Sequence, residues 1–534
     1  MISDALADAV RTALRTLEID PLPERIDLER PAIREHGDWS TNVALATAKK
    51  AGWNPRELAG RVAEVLNADP PDHVRSVEIA GPGFVNFHLH DSWLHDVLAE
   101  VLEAGATDYA RHDIGAGTTV NVEFVSANPT GPLHAGHGRG AAYGDSVARL
   151  LERCGYTVQR ETYINDRGTQ MQKFAQSLAA RRDGLEVPDG GYHGEYIREW
   201  AAEMPADADP LEWGEARALA EHRDTLARMN VGFDTWFSER TLVEAGAIDA
   251  TLDDLRSRDA AYDHDGATWL RSTEFGDDKD RPLIKSDGEY TYVLPDIAYH
   301  RDKFARADRL IDVWGADHHG YVPRMKAAVQ ALGHDPDELE CRITQLVNLL
   351  DAGEPVKLSK RAGDIIELRD VFDEVGADAA RLTYLLQSPD TKMTFDYAVV
   401  KSEAAENPVY YVQYAHARIH SIGRKAVELG IERAELGATD LALLTHEREL
   451  DIMRVLSELP EVVLVAANER APHRVAAWVR ELAGAFHGFY HDCYVISDSV
   501  PAELTQARLW LVEATRVGLT VALDLLGVSA PEEM

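Results

Sequence analysis

The chain has 534 residues, 45% of them hydrophobic, enough to bury a large core across two to four domains. Its 91 Asp and Glu outweigh 55 Lys and Arg, a formal charge of −36, and that excess by itself argues against a polyanionic partner such as nucleic acid. No uncharged apolar run of about 18 residues is present and the first twenty residues are amphipathic and acidic, which argues against a membrane span or signal peptide and for a cytoplasmic protein. Only 12 of the basic residues are lysines. Salt strengthens apolar association, so lysine's aliphatic stem becomes a liability in brine while carboxylates hold water; the balance is that expected of a halophilic host. The cysteines, Cys154, Cys341 and Cys493, are far apart and form no CxxC pair, so neither zinc nor a disulfide framework is expected, and all three read as small buried hydrophobes.

Residues 1–112 read as a small α/β module. Asn54 and Pro55 make a cap and first-turn pair ahead of RELAGRVAEVL, and VRSVEIA and FVNFHLH flank the turn GPG at 81–83. From 113 to 395 strands alternate with helices: TVNVEFV, the stretch AAYGDSVARLLERCG, then RLIDVWG at 309–315 running through ADHHGYVP into RMKAAVQALG. Such alternation predicts an α/β domain with a doubly wound parallel sheet. Residues 168–282, rich in charge and short helices, read as an insertion joining its two halves. Beyond 396 Gly and strand signals thin out, and heptad-like apolar spacing predicts a helical bundle over 396–534.

NPTGPLHAGHGRG, residues 128–140, falls where the first strand hands over to a helix. A helix N-terminus there presents unpaired N–H groups and a partial positive end, and glycines such as Gly136 and Gly138 let a phosphate or a planar base approach the backbone. Asn128, His134 and His137 are suited to hydrogen-bond such a ligand, although a Gly- and His-rich turn is on its own as often only a turn. A second stretch, EPVKLSKRAGD at 354–364, places Lys357, Lys360 and Arg361 around Ser359 in a Gly-bounded loop. In a chain so short of lysine, a cationic loop of this kind is suited to a triphosphate. A solvated charged loop is the plainer reading.

The two stretches together resemble the paired signatures of class I aminoacyl-tRNA synthetases, with Leu358 where the second usually carries methionine. The rest of the chain resembles the arginyl-tRNA synthetases: HGDWSTNVALATAKKAGWNPREL and VEIAGPGFVNFHL their N-terminal additional domain, FDTWFSER and TYVLPDIAYHRDKF central segments, and NPVYYVQYAHARI the opening of the anticodon-binding domain. The ending LLGVSAPEEM also resembles the family's close, from which a complete chain is expected. The resemblance implies a Rossmann-like catalytic domain; L-arginine, ATP with Mg²⁺, and tRNA(Arg) as partners; and a 2′-hydroxyl of the tRNA as final acceptor. With the lysine depletion, it points to a halophilic archaeon as host, and a monomer is expected.

A guanidinium ligand wants carboxylates in fork geometry and an aromatic face. Glu123 lies on the first strand, just before the histidine turn, and Tyr292 and Asp296 lie four apart in TYVLPDIAYH; with Asn128, these are the positions to which the resemblance assigns arginine binding. Read alone, Glu123 could be one polar residue on a strand face, Tyr292 core and Asp296 a helix cap. Asp317 and His318 lie in a second strand-to-helix turn and border arginine or the adenosine ribose, with a helix cap as rival. His134, His137, Lys357 and Lys360 are expected to handle phosphates, with Gly136, Gly138 and Ser359 beside them. Tyr410, Tyr414 and Arg418 at fourfold spacing suit unstacked anticodon bases, although an aromatic stripe is more often core.

Overall fold

The structure, a computed structural model, describes residues 2–31, 33–356, 366–402 and 407–534. Two compact units share the chain. One gathers Met1–Glu103 with Gly430–Ser457 and Gly488–Ala514, and the other Ala104–Leu429 with Glu458–His487 and Thr515–Met534.

In the first unit Val74–Ala80 and Phe84–Leu89 form the antiparallel hairpin read from the sequence, and Trp39–Thr41 pairs on its other side. Gly83 closes the turn at φ +150° with the Pro55 backbone so near that any Cβ would lie 3.0 Å from its carbonyl oxygen, so only glycine fits. The Asn54 side chain accepts from the N–H groups of Arg56 and Glu57, and Pro55 opens the helix Pro55–Ala68. Packing does not divide at residue 112. Arg30 donates to Ser457 Oγ at 2.9 Å and Arg34 pairs with Glu447 at 2.6 Å, contacts across more than 400 residues that no local pattern announces.

The second unit is built on five strands, β1 (Thr119–Glu123), β2 (Thr157–Ile164), β3 (Thr235–Ser238), β4 (Arg309–Gly315) and β5 (Leu339–Thr344). They pair in the order β5-β4-β1-β2-β3, every pair parallel, so this is the doubly wound α/β class expected. Val120, Val122, Leu310, Ile311 and Leu339 are buried, the apolar content that a sheet covered on both faces requires. The chain runs outward from β1 to β3 and then returns to β4 on β1's other side. The crevice at the carboxyl ends of β1 and β4 is therefore the topological switch point, where open α/β sheets bind ligands.

The stretch 168–282, expected as an insertion, also supplies the edge strand β3. Four residues, TWFS, are too few to show a period of two. Otherwise it forms helices Gly168–Arg182, Glu195–Glu203 and Pro210–Arg228 around Met171, Phe174, Leu178, Ile197 and Trp200, and a three-stranded antiparallel sheet over 261–284. The helices that position the site are α1 (Ala135–Arg153), after β1; α2 (Val293–Phe304), before β4; and α3 (Val322–Ala331), before β5. Further on, α4 (Pro408–Glu428) begins at the Asn407–Pro408 pair read from the sequence, the Asn407 side chain accepting from Val409 and Tyr410 N–H. Helices continue to Leu526. Among the described residues no helix is long and apolar enough to cross a membrane. Cys154 and Cys493 are buried as expected, while Cys341, on β5, is half-buried.

Candidate active site

β1 stops at Glu123, two residues short of the TVNVEFV run, because Val125 adopts φ +58°. A β-branched residue in the left-handed region is strained and persists only where its surroundings hold it. Here Thr162 Oγ1 donates to the Val125 carbonyl at 3.0 Å, Ser126 Oγ donates to Glu123 Oε1 at 2.6 Å, and Tyr163 N–H donates to Ser126 Oγ at 3.1 Å. The NPTGPL turn that follows rests on the helices of the 168–282 stretch: Tyr196 OH donates to Thr130 O at 2.9 Å, and His222 Nε2 donates to Gly131 O at 2.8 Å.

His134 caps α1. Its Nδ1 accepts from Gly136 N–H at 3.1 Å, while His137 Nδ1 accepts from His134 N–H at 3.2 Å. With both Nδ1 atoms accepting, each neutral ring carries its proton on Nε2. The rings stack with centroids 3.7 Å apart. Burial, with the imidazoles of His134 and His222 nearby, pushes His137 down to about 3, and burial also lowers His134 below the usual imidazole range. The pair therefore offers N–H donors at neutral pH and no positive charge.

A cavity of about 890 Å³ opens at the switch point, lined by Glu123, Asn128, His134, Gly136, His137, Asp296, Asp317 and His318 among others. Eight of the residues singled out in the sequence thus surround one space. Glu123 is 6% exposed; one oxygen takes the Ser126 hydroxyl and the other meets the ammonium of Lys303. Asp296, in the first turn of α2, accepts from Tyr321 OH, and burial pushes its carboxyl up to about 6. Asn128 donates to Gln170 Oε1 at 2.6 Å, and Asp317 and His318 stand exposed at the rim.

Two residues fall elsewhere. Tyr292 is 87% exposed and does not line the cavity, although its backbone is already helical and its carbonyl accepts from Asp296 N–H at 3.4 Å. Gly138 lies outside the cavity as well. A Cβ there would meet Leu368 at 2.7 Å and Tyr384 at 2.8 Å, so this glycine serves helix packing. Lys357, Ser359 and Lys360 lie outside the described residues. Their flanks are described: Gln345, Leu346 and Val347 line the cavity, and on the far side Ile366 O accepts from Ala135 N–H at 2.9 Å while Leu368 N–H donates to Leu133 O at 2.7 Å. Arg139, on α1 and 2% exposed, donates to the carbonyls of Gln345, Ser388 and Thr391 at 3.0, 2.7 and 2.7 Å, tying the first flank to the histidine helix.

Sequence reasoning missed Tyr321, Tyr299 and Lys303. Nothing marks Tyr321 beyond its place after the ADHHG turn. Lys303 had a signal: one of twelve lysines, seven residues after Asp296 and hence on the same helix face.

Apart from the cavity, α4 carries a ladder. The Tyr410 and Tyr414 rings stack at 5.5 Å, the Arg418 guanidinium lies 4.3 Å from the Tyr414 ring centroid, and all three residues are half-buried. Neither tyrosine is core.

Comparison with known proteins accounts for nearly every residue. The arginyl tRNA synthetase N terminal domain model matches residues 2–89, the class I (R) tRNA synthetase catalytic domain model residues 100–186 and 217–419, and the DALR anticodon binding domain model residues 412–534. Arginine–tRNA ligases of Bacillus licheniformis and Frankia alni are 45% and 47% identical, each alignment covering 100% of this chain and 99% of the relative. A crystal structure described as a putative arginyl-tRNA synthetase from Campylobacter jejuni matches with TM-score 0.76 at 34% identity, over 84% of this chain and all of that one. The Thermus thermophilus arginyl-tRNA synthetase structure matches in fold over the full length of both chains, with TM-score 0.79 at 24% identity. With N-terminal, catalytic and anticodon-binding models matched in chain order and relatives aligned end to end, the chain belongs to the class I arginyl-tRNA synthetases.

Proposed function

We infer that the protein is an arginine–tRNA ligase, which activates L-arginine with ATP and esterifies it to the 3′-terminal ribose of tRNA(Arg). The observation that carries this reading is the cavity at the switch point, lined both by the paired imidazoles of His134 and His137 and by Glu123 and Asp296. In the first step the arginine carboxylate attacks the α-phosphorus of ATP, supplied as its Mg²⁺ complex, and pyrophosphate leaves. In the second the 2′-hydroxyl of the terminal adenosine attacks the adenylate carbonyl, and AMP leaves. The protein's part is orientation and electrostatics. His134 and His137 donate to phosphate oxygens beside Gly136. Being neutral they add no charge, so neutralisation falls to Lys357 and Lys360, which with Ser359 enter on the sequence alone. Glu123 and Asp296 take the guanidinium, Asn128 hydrogen-bonds the amino acid, and Asp317 and His318 border the ribose. No zinc ion takes part.

Arginine-dependent pyrophosphate exchange tests this. Arginine alone of the amino acids stimulates exchange, and does so when tRNA(Arg) is present; stimulation by lysine, or by nothing, overturns the reading.

For tRNA, Tyr410, Tyr414 and Arg418 present stacking surface suited to unpaired bases. Tyr414→Ala is expected to weaken tRNA binding about tenfold, on the order of 1–2 kcal/mol of lost stacking, with little loss of melting temperature. Unchanged affinity with lower stability would make the ladder structural. The same reading makes the protein a cytoplasmic monomer. Its acidic, lysine-poor composition is the ground for a halophilic host; the relatives named above are bacterial, and nothing supports the archaeal origin expected from the sequence. Melting temperature should rise between low and molar KCl, and a flat or falling curve removes the idea.

A further inference from the structure

Three carboxylates stand in a row across the central sheet. Asp312 on β4 is the register partner of Glu123 on β1, and Glu123 is the register partner of Glu161 on β2. Register partners in neighbouring strands project from the same face, so like charges are set side by side, an arrangement that opposes folding unless countercharge is supplied. α2 supplies it. Arg306, just beyond its end, forks onto Glu161 at 2.8 and 3.1 Å, and Lys303 bridges the other two, its Nζ meeting Glu123 Oε2 and lying 2.6 Å from Asp312 Oδ1.

Lys303 is fully buried and its ammonium has no spare capacity. Two carboxylates hold it, and the Tyr299 ring centroid lies 4.6 Å from Nζ. A ligand in the cavity therefore meets Glu123, which lines it, and not Lys303, which does not. Asp312 in turn is fixed by His300 Nε2 at 2.8 Å, and His300 Nδ1 lies 2.8 Å from the Asp296 carbonyl. The contacts from Glu123 through Lys303, Asp312 and His300 thus end on the backbone carbonyl of Asp296, which ties the first turn of α2 to the carboxylate row. Each Glu123 oxygen has one partner and can accept a second, leaving room for two donors. Of the groups in this cluster Glu123 lines the cavity and keeps acceptor positions open towards it.

We propose that Lys303 is the positioning residue of the arginine pocket: it holds the Glu123 carboxylate in one orientation, with its open acceptor positions towards the cavity, so that the fork of a guanidinium satisfies it. The inference rests on the arginine-activating reading above. Lys303 acts through Glu123, so its loss bears on arginine and spares ATP, whose phosphates lie by the histidine pair.

The test is steady-state pyrophosphate exchange with tRNA(Arg), measuring KM for arginine and for ATP in four proteins. The wild type comes first, since absent arginine-dependent exchange would sink the activity reading and leave the pocket unaddressed. Lys303→Met is expected to raise the KM for arginine at least twentyfold with the KM for ATP within twofold. Lys303→Arg, which restores the charge, is expected to recover most of that loss. In Lys303→Met/Asp312→Asn the charge balance around Glu123 is kept and a buried ion pair is replaced by uncharged volume, a change that folds usually tolerate. It is still expected to show a KM for arginine raised at least fivefold, because Glu123 has lost its anchor. A normal arginine KM in the double variant, equal rises for arginine and ATP, or failure of both Met variants to fold would each make Lys303 merely structural and overturn the proposal.

Discussion

Asn in place of Asp296 is expected to raise the KM for arginine about 100-fold and, at pH 7, to raise the melting temperature. Removing one member of a buried charge pair costs about 2–5 kcal/mol of binding, and 100-fold lies at the lower end of that range. The gain in stability has the same origin as the loss of function. Without ligand, the Asp296 carboxylate is buried with a tyrosine hydroxyl as its hydrogen-bond partner, and its carboxyl is pushed up to about 6 from an ordinary 3.8. Between those values the folded protein holds a proton that the unfolded chain has released, so the wild type is penalised at neutral pH and relieved as pH falls through about 6. Asparagine never ionises and escapes a penalty on the order of 3 kcal/mol. Below about pH 4, where the acid is neutral in both states, wild type and variant should melt together. The same protonation predicts that the wild-type KM for arginine climbs as pH drops below about 6. Thermal melts at pH 4 and 7 and a KM profile from pH 5 to 8 check this. An unchanged KM, or a variant less stable at pH 7, would contradict it.

Replacing His137 by Asn should lower the turnover of pyrophosphate exchange about 100-fold, within the 10²–10³ range for losing one preorganised donor to developing charge. The KM for arginine should stay within threefold. The donor is uncharged, since the ring is pushed down to about 3, so the wild-type rate should show no acid limb from this imidazole between pH 5 and 8. Where an imidazole is held neutral in the fold, acid favours the unfolded state, which binds the proton below about 6.5; stability contributed by the uncharged ring is lost as pH falls. His137→Asn should flatten that part of the stability curve. Near-normal turnover would remove His137 from the chemistry.

How far the sequence carried these conclusions depends on how local each signal is. β4 was legible to the residue, because RLIDVWG is rich in apolar and strand-favouring residues and closed by glycine, and the helix starts at Pro55 and Pro408 were legible because Asn–Pro specifies both cap and first turn. The meeting of residues 123, 134, 137, 296 and 317 in one cavity followed from the order of a parallel sheet, whose switch point gathers successive strand ends. Contacts set by three-dimensional register were not legible. The row Asp312–Glu123–Glu161 exists only once three strands are aligned, and the Arg34–Glu447 pair once distant segments meet. Gly138 misled because a glycine needed for close helix packing looks, in one dimension, like a glycine needed for a phosphate. Tyr292 misled because spacing along a helix fixes where a side chain starts and not where its ring ends: the backbone is helical, yet the ring stands exposed and off the cavity.

A crystal structure of the protein with L-arginine and a non-hydrolysable ATP analogue tests the central claim most directly. It should place the guanidinium within about 3 Å of the Glu123 and Asp296 carboxylates and phosphate oxygens within about 3 Å of Nε2 of His134 and His137, in the crevice beyond β1 and β4. Arginine bound away from those carboxylates, or a triphosphate seated anywhere other than against the capped end of α1, would contradict it.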